Sequence, residues 1–283
     1  RYSITLNRDL CVGCEICSII CPREAVKILK TPKNAEGKTR KPLIDIDEEK
    51  CHYCGICELI CPFGAIQVKS NGEHVVPVME KESFPQLLRD IQVDTSKCEV
   101  GCIECEKACP LNLIKVSVKT PSGEEITDLE SIKEKEGLQV SVTIKKELCP
   151  CCRLCEIECP TGAITVKKIF HGTIKINQEK CPEGCRDCLD VCPIPGALYL
   201  EDGKVYANDI HCVFCGVCKI VCPVDEAIDM KRTIIRHTPV KSGAWIRALE
   251  KLTSTKEASK ELGKKRLIKV FDSVERRLGW RAK

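Results

Sequence analysis

The chain has 283 residues, 25 of them cysteine, and only 4 % aromatic residues, too few large rings for one conventional core of that length. No apolar run approaches the roughly 18 residues that a bilayer span requires, which excludes a transmembrane reading. The formal charge of +4 hides two parts of opposite sign: residues 231–283 hold 16 Lys/Arg against 5 Asp/Glu, and residues 1–230 hold 29 against 36.

In chain order, short alternating segments rich in β-branched residues recur. They are Ile4-Thr5-Leu6-Asn7, Ile44-Asp45-Ile46-Asp47, Ile91-Gln92-Val93-Asp94, Val142-Thr143-Ile144-Lys145, Ile174-Lys175-Ile176-Asn177 and, more weakly, Val205-Tyr206-Ala207-Asn208. Each reads as a half-buried strand. Each is followed by a cysteine run, beginning at Cys11, Cys51, Cys98, Cys149, Cys181 and Cys212, that closes on Cys-Pro. A second strand-like piece follows, as in Ala25-Val26-Lys27-Ile28, Ala65-Ile66-Gln67-Val68 and Ala163-Ile164-Thr165-Val166. The sequence is therefore a sixfold repeat of strand, cysteine loop with a short helical turn, and strand.

The runs at Cys11, Cys51, Cys149 and Cys212 have the spacing C-x2-C-x2-C-x3-C-P. Those at Cys98 and Cys181 carry one more residue in the first gap, with Gly101 and Gly184 before the second cysteine. Cysteines this close cannot bridge one another, but their thiolates can share one centre, so a disulfide scaffold is rejected. Zinc sites separate two short knuckles by a longer spacer and fit poorly. The run is that of bacterial [4Fe–4S] ferredoxins, in which the fourth cysteine ligates the other cluster of a pair. Six clusters at about −2 each, thiolates included, would bring the net charge to roughly −8.

Spacing pairs the first motif with the second, the third with the fourth and the fifth with the sixth. The expected ligand sets are then Cys11, Cys14, Cys17 and Cys61; Cys51, Cys54, Cys57 and Cys21; Cys98, Cys102, Cys105 and Cys159; Cys149, Cys152, Cys155 and Cys109; Cys181, Cys185, Cys188 and Cys222; and Cys212, Cys215, Cys218 and Cys192. Cys151 is left over, outside the repeat register, as a bystander thiol. His52 and His211 adjoin first cysteines, but every motif already has four thiols. The expected fold class is α+β: three tandem bacterial-type 2[4Fe–4S] ferredoxin domains with a C-terminal helical tail. Their expected limits are 1–69, a linker over 70–90, 91–170 with an insert over 119–139 folding as an extra helix, 171–232, and a basic tail over 233–283.

Nothing reads as catalytic. The chain has no G-x-G-x-x-G, Walker A or H-E-x-x-H run, and Glu124-Glu125 reads as solvated loop charge. In the tail, Ser242–Leu252 is expected as one helix with Trp245, Leu249 and Leu252 on one side. A capping box at Ser254-Thr255-Lys256-Glu257 opens a second helix, whose Leu267, Phe271, Val274 and Leu278 form an apolar stripe. The tail is expected to clasp a partner, with Trp245 and Phe271 as anchors, or to pack on its own body.

The six motifs, the two wider loops and the stretch His237–Trp245 resemble the polyferredoxins of methanogenic archaea, most closely the polyferredoxin subunits of formylmethanofuran dehydrogenases. The resemblance implies electron carriage, without catalysis on this chain, between catalytic oxidoreductase subunits and other ferredoxin-like subunits in an anoxic cytoplasm. It implies no nucleic-acid partner and gives no reason for a membrane one; contact with a second copy is left open. Hydrogenase-associated polyferredoxins and an iron–sulfur storage protein are the alternatives.

Overall fold

The computed structural model describes residues 1–126, 137–240 and 242–253. Strand β1 (Tyr2–Leu6) runs into the first cysteine loop and helix α1 (Ile16–Ile20), then β2 (Val26–Leu29). The same order returns in β3 (Leu43–Ile46), α2 (Ile56–Leu59) and β4 (Ile66–Ser70). β1 pairs antiparallel with β4, Thr5 opposite Gln67, and β2 pairs with β3, Ile28 opposite Ile44. The first strand thus meets the last, and the middle two meet each other.

Two further stretches repeat this plan. After β5 (Glu73–His74) and α3 (Pro77–Glu80) come β6 (Asp90–Val93), α4 (Glu104–Lys107), β7 (Ile114–Lys119), β8 (Glu125–Ile126), β9 (Gln139–Ile144), α5 (Leu154–Ile157) and β10 (Ile164–Lys167). β6 pairs with β10, Ile91 opposite Val166, and β7 with β9, Val116 opposite Val142. Then follow β11 (Phe170–Ile176), α6 (Asp187–Val191), β12 (Leu198–Glu201), β13 (Lys204–Ala207), α7 (Val217–Val221) and β14 (Ile228–Ile235). β11 pairs with β14 and β12 with β13. In these first, second and third units, α1 packs on α2, α4 on α5 and α6 on α7.

The alternation read in the sequence explains the inward faces. Ile66 and Val68, Ile164 and Val166, and Ile228 and Met230 are buried on the last strand of each unit. Each such side chain stabilises the fold by about 1.5–3 kcal/mol. The paired helices have only four or five residues, far below the length at which a helix holds by itself. They persist because a cysteine loop and a strand pin each end. One apolar core runs through all three units, from Ile16 and Phe63 through Ile164 and Phe170 to Phe214 and Trp245.

Several expected boundaries change. The stretch 70–90 is not a bare linker: it carries β5 and α3, and Val76 and Leu87 are buried in it. The third unit begins at Phe170, and its last strand continues to Ile235, past residue 232. The insert starts as a strand extension, because Lys119 and Val118 on β7 pair with β8; the rest of the expected helix, over residues 127–136, lies outside the described ones. Among the described residues no helix is long and apolar enough to cross a membrane.

The first part of the tail folds back on the body. Helix α8 (Ala244–Leu252) packs against α1, with Trp245, Ala248, Leu249 and Leu252 buried. The Trp245 indole N–H donates to His237 Nε2 at 3.1 Å, and its ring meets Phe84 edge-on at 5.9 Å. Trp245 therefore anchors α8 to the first unit and offers nothing to a partner, which corrects the sequence expectation. The capping box and the Leu267–Leu278 stripe, with Phe271, lie outside the described residues.

Candidate metal centres

Each cysteine loop opens on a turn. Asn7 Oδ1 accepts the amides of Asp9 and Leu10, at 3.0 and 3.2 Å, and the Cys11 amide closes onto the Asn7 carbonyl at 3.0 Å. Asp47, Asp94, Asn177 and Asn208 do the same with their side chains. An Asx residue four positions before the first cysteine thus ends the strand and starts the loop in five motifs, since these side chains mimic a backbone turn. In the fourth motif Lys145 stands at that place. The signal was present in the sequence, in the last residue of each strand segment.

The folded loops gather thiols into groups that cross between paired motifs. Burial first, then the charges of Cys61 and Cys11, push Cys17 up to about 12. Burial and then Cys17, Cys54, Cys51 and Cys21 raise Cys57. Cys105 is pushed up to about 11 by burial and by Cys102, Cys98 and Cys159; Cys155 to about 12 by burial and by Cys152, Cys149 and Cys109. In the third unit, burial with Cys185, Cys222 and Cys181 raises Cys188 to about 12. Burial with Cys215, Cys212 and Cys192 raises Cys218. In each unit, then, the fourth cysteine of one motif lies among the first three of its partner. The third cysteines also feel one another across the pair: Cys57 and Cys17, Cys155 and Cys105, Cys218 and Cys188.

These groups fit [4Fe–4S] centres. The third cysteine of each motif resists ionisation because of burial and the neighbouring thiols, and a centre that brings positive iron to the group relieves this. All 25 cysteines are unbridged. Among the described residues no three Cys, His, Asp or Glu side chains close on a single metal ion. His52 is exposed. His211 is lowered by burial and then by Lys168. Cys151 is wholly buried in the left-handed turn position, φ 57°, that Gly13, Tyr53 and Phe214 occupy in the other three narrow loops. Its amide points at Cys149 Sγ at 3.4 Å, as those of Tyr53 and Phe214 point at Cys51 and Cys212. Cys151 therefore keeps the repeat register; the expectation that it breaks it is corrected.

Beyond Cys-Pro the motifs divide into two kinds. The amides of Ala25, Ala65, Leu113 and Ala163 each reach the fourth sulfur of their own motif at 3.3 Å. After Cys192 and Cys222 the chain carries one more residue before the corresponding Ala197 and Ala227, whose amides turn instead to the Ile194 and Val224 carbonyls. The fifth and sixth motifs thus lose an N–H donor to sulfur, a bond that tunes potential.

The three units meet at seams built from their cysteine loops. Between the first and second, the Arg89 guanidinium donates to the carbonyls of Cys61 and Pro62, at 2.8 and 2.7 Å, and to that of Cys149. Between the second and third, Lys168 Nζ donates to the Asp209 carbonyl and sits 4.6 Å from the Phe214 ring centroid. Burial lowers its pKa, and the charges of Cys212, Asp209 and Cys152 oppose that. Between the third and first, Arg232 donates to the Phe214 and Cys215 carbonyls and to Glu15 Oε1 at 3.1 Å. Glu15 comes so close to Gly216, φ 92°, that an added Cβ would lie 2.7 Å from its carboxylate. Cys14, Cys152 and Cys215, the second cysteines of the loops at these seams, are buried; Cys54, Cys102 and Cys185, their outer counterparts, are half-buried.

Comparison with known proteins agrees with this picture. Residues 10–65 match a family described as a 4Fe-4S dicluster domain, and residues 50–114 match a second family of the same description. The second match straddles the second and third motifs, whereas strand pairing and thiol neighbours join the third to the fourth. The chain is 29 % identical over 160 residues to the "Putative electron transport protein YsaA" of Escherichia coli K12, covering 53 % of this chain and 94 % of that one. It is 33 % identical over 126 residues to "Electron transport protein HydN" of the same organism, 42 % of this chain and 64 % of that one. To "Polyferredoxin protein FwdF" of Methanocaldococcus jannaschii it is 47 % identical over 93 residues, 33 % of this chain but only 25 % of that one. One chain of the solved "Formate dehydrogenase - heterodisulfide reductase - formylmethanofuran dehydrogenase complex from Methanospirillum hungatei" superposes with a TM-score of 0.74 at 33 % identity, covering 89 % of this chain and 85 % of that one. Dicluster matches, likeness to a polyferredoxin and to electron transport proteins, and superposition over 89 % of the chain make it a member of the archaeal polyferredoxins.

Proposed function

We propose that the three units are tandem 2[4Fe–4S] ferredoxin domains that together carry six clusters and conduct low-potential electrons between subunits of an anaerobic oxidoreductase complex, formylmethanofuran dehydrogenase. The single observation that carries this reading is the crossed gathering of thiols, repeated in all three units. The ligand sets are those expected from the sequence: Cys11, Cys14, Cys17 and Cys61 beside Cys51, Cys54, Cys57 and Cys21, and likewise in the other two units. A [4Fe–4S] centre, when bound, supplies reversible one-electron carriage.

The protein's own part is to hold the sulfurs, exclude water and order the route. Cys54, Cys102 and Cys185 are half-buried and so nearer to an approaching partner than their buried counterparts. Buried loops at Cys14, Cys152 and Cys215 face inward, where the units meet. Three outer positions thereby converge on three inner ones. Likeness to a chain of the Methanospirillum complex and to FwdF supports formylmethanofuran dehydrogenase as the parent enzyme. Unbridged cysteines throughout suit a reducing, anoxic cytoplasm.

The test is anaerobic mixing. The reduced holo-chain is combined with a catalytic formylmethanofuran dehydrogenase subunit assembly lacking its polyferredoxin, and reoxidation is followed by visible absorption. Reoxidation coupled to turnover is expected. Binding without any electron transfer would overturn the assignment.

A further inference from the structure

The three seams share a feature that cluster ligation does not require. Each holds a cation bound to loop backbone: half-buried Arg89 at the first, and buried Lys168 and Arg232 at the second and third. Lys168 and Arg232 are only 8 % and 4 % exposed. Arg89 and Arg232 each bind groups of two units at once, and Lys168, at the end of the second unit, binds the third. Arg89 binds the backbone of Cys61 and Cys149; Lys168 lies between Cys212 and Cys152; Arg232 binds the backbone of Cys215 and the Glu15 carboxylate beside Cys14. Buried charges are costly unless something of opposite sign faces them. Arg232 has Glu15, but Arg89 and Lys168 are bound mainly by backbone carbonyls. Charged or titratable groups near them include Glu147 by Arg89, and Asp209, Arg153, His171 and His211 by Lys168.

We propose that Arg89, Lys168 and Arg232 form a ring of seam cations that stabilises added electrons on the three inner positions, so that the meeting point of the units is an electron-holding junction fed from the three outer positions. This rests on the six-cluster reading. When one electron leaves an outer position, that position is oxidised by one and an inner one is reduced by one, so negative charge at the seam grows by one unit. A cation in a dry setting favours that gain more than one in water would. The contribution of Arg232 is smaller, because Glu15 already offsets it at 3.1 Å. Outside the seams, Lys204 binds the Cys181 carbonyl at 2.7 Å and is half-buried like Arg89, but its partners Gln178 and Cys181 belong to one unit, so it joins no two of them.

The experiment is a redox titration of the full-length, cluster-loaded chain, followed by electron paramagnetic resonance under strict anaerobiosis. Arg89→Gln and Lys168→Met should each make reduction of the adjoining inner positions about tenfold less favourable, a fall of about 59 mV for one electron. Glu15→Gln should shift the first–third seam the opposite way, toward easier reduction. Lys231→Gln, beside Arg232 in sequence but 63 % exposed in its pair with Asp229, should leave the titration unchanged. If Arg89→Gln or Lys168→Met loses clusters, Glu15→Gln decides alone. Unshifted potentials in intact Arg89→Gln and Lys168→Met, a downward or absent shift in Glu15→Gln, or an equal shift in Lys231→Gln would overturn the junction. A chain that binds no clusters at all would instead overturn the reading beneath it.

Discussion

Cys14, in the first motif, and Cys215, in the sixth, face each other across the seam between the first and third units. After burial and Cys17, the charge of Cys215 is what most holds the Cys14 pKa up. Motifs far apart in sequence are thus neighbours in space, and the three units close on one another instead of lying in a line.

Crossed ligation gives a sharp mutational expectation. Cys21 belongs with Cys51, Cys54 and Cys57, among the thiols that raise Cys57. Cys21→Ser should therefore disturb the cluster of the second motif and spare that of the first. Mössbauer or paramagnetic resonance spectra of the otherwise intact chain distinguish the two. Loss of the centre at Cys11, Cys14 and Cys17 would contradict the pairing.

Helix α8 should contribute to stability in its own right. Trp245 is fully buried, and truncating a buried tryptophan costs about 3–5 kcal/mol. Trp245→Ala should lower the unfolding free energy of the loaded chain by that amount, read as a lower urea midpoint, while the iron content holds. An unchanged midpoint would mean that α8 is not docked on α1. A partner-docking role for the basic tail is better tested by cutting after Thr253 than at residue 233, which would remove the end of β14 and Trp245 together.

Stripping the iron should expose a pH dependence. Burial and neighbouring thiols push Cys17, Cys188 and Cys215 from 9.0 to about 12. An acid with a raised folded-state pKa keeps its proton after the unfolded chain has lost it. The unfolded state then binds fewer protons, so stability is complete below 9.0 and falls as pH rises toward about 12. Urea midpoints of chelator-treated chain should drop between pH 7 and pH 10. The loaded chain, whose thiolates are ligated, should change far less. A stripped chain that gains stability over that range would contradict the thiol groups described.

The cysteine loops and their strands were legible in the sequence because both are local. Alternation set Ile66 and Val68 inward, and the thiol spacing carried the chemistry. Arg232 was legible too, in hindsight: it continues the buried register of Ile228 and Met230 on β14. Arg89 and Lys168 were not. They lie in connections between units, and their burial depends on how separate units pack, which no local period encodes. Trp245 was correctly put on the apolar side of its helix, but the sequence does not say which surface covers that side. Phe84 and α1, both distant in sequence, supply it. The extra residue after Cys192 and Cys222 is visible as spacing, but spacing alone does not show that it turns an amide away from sulfur.

The central claim is that six cysteine motifs hold six four-iron centres. Iron and acid-labile sulfide, measured on anaerobically prepared full-length chain, test it most directly. The account predicts about twenty-four of each per chain. A count near six irons with zinc in the remainder, or iron without matching sulfide, would contradict it.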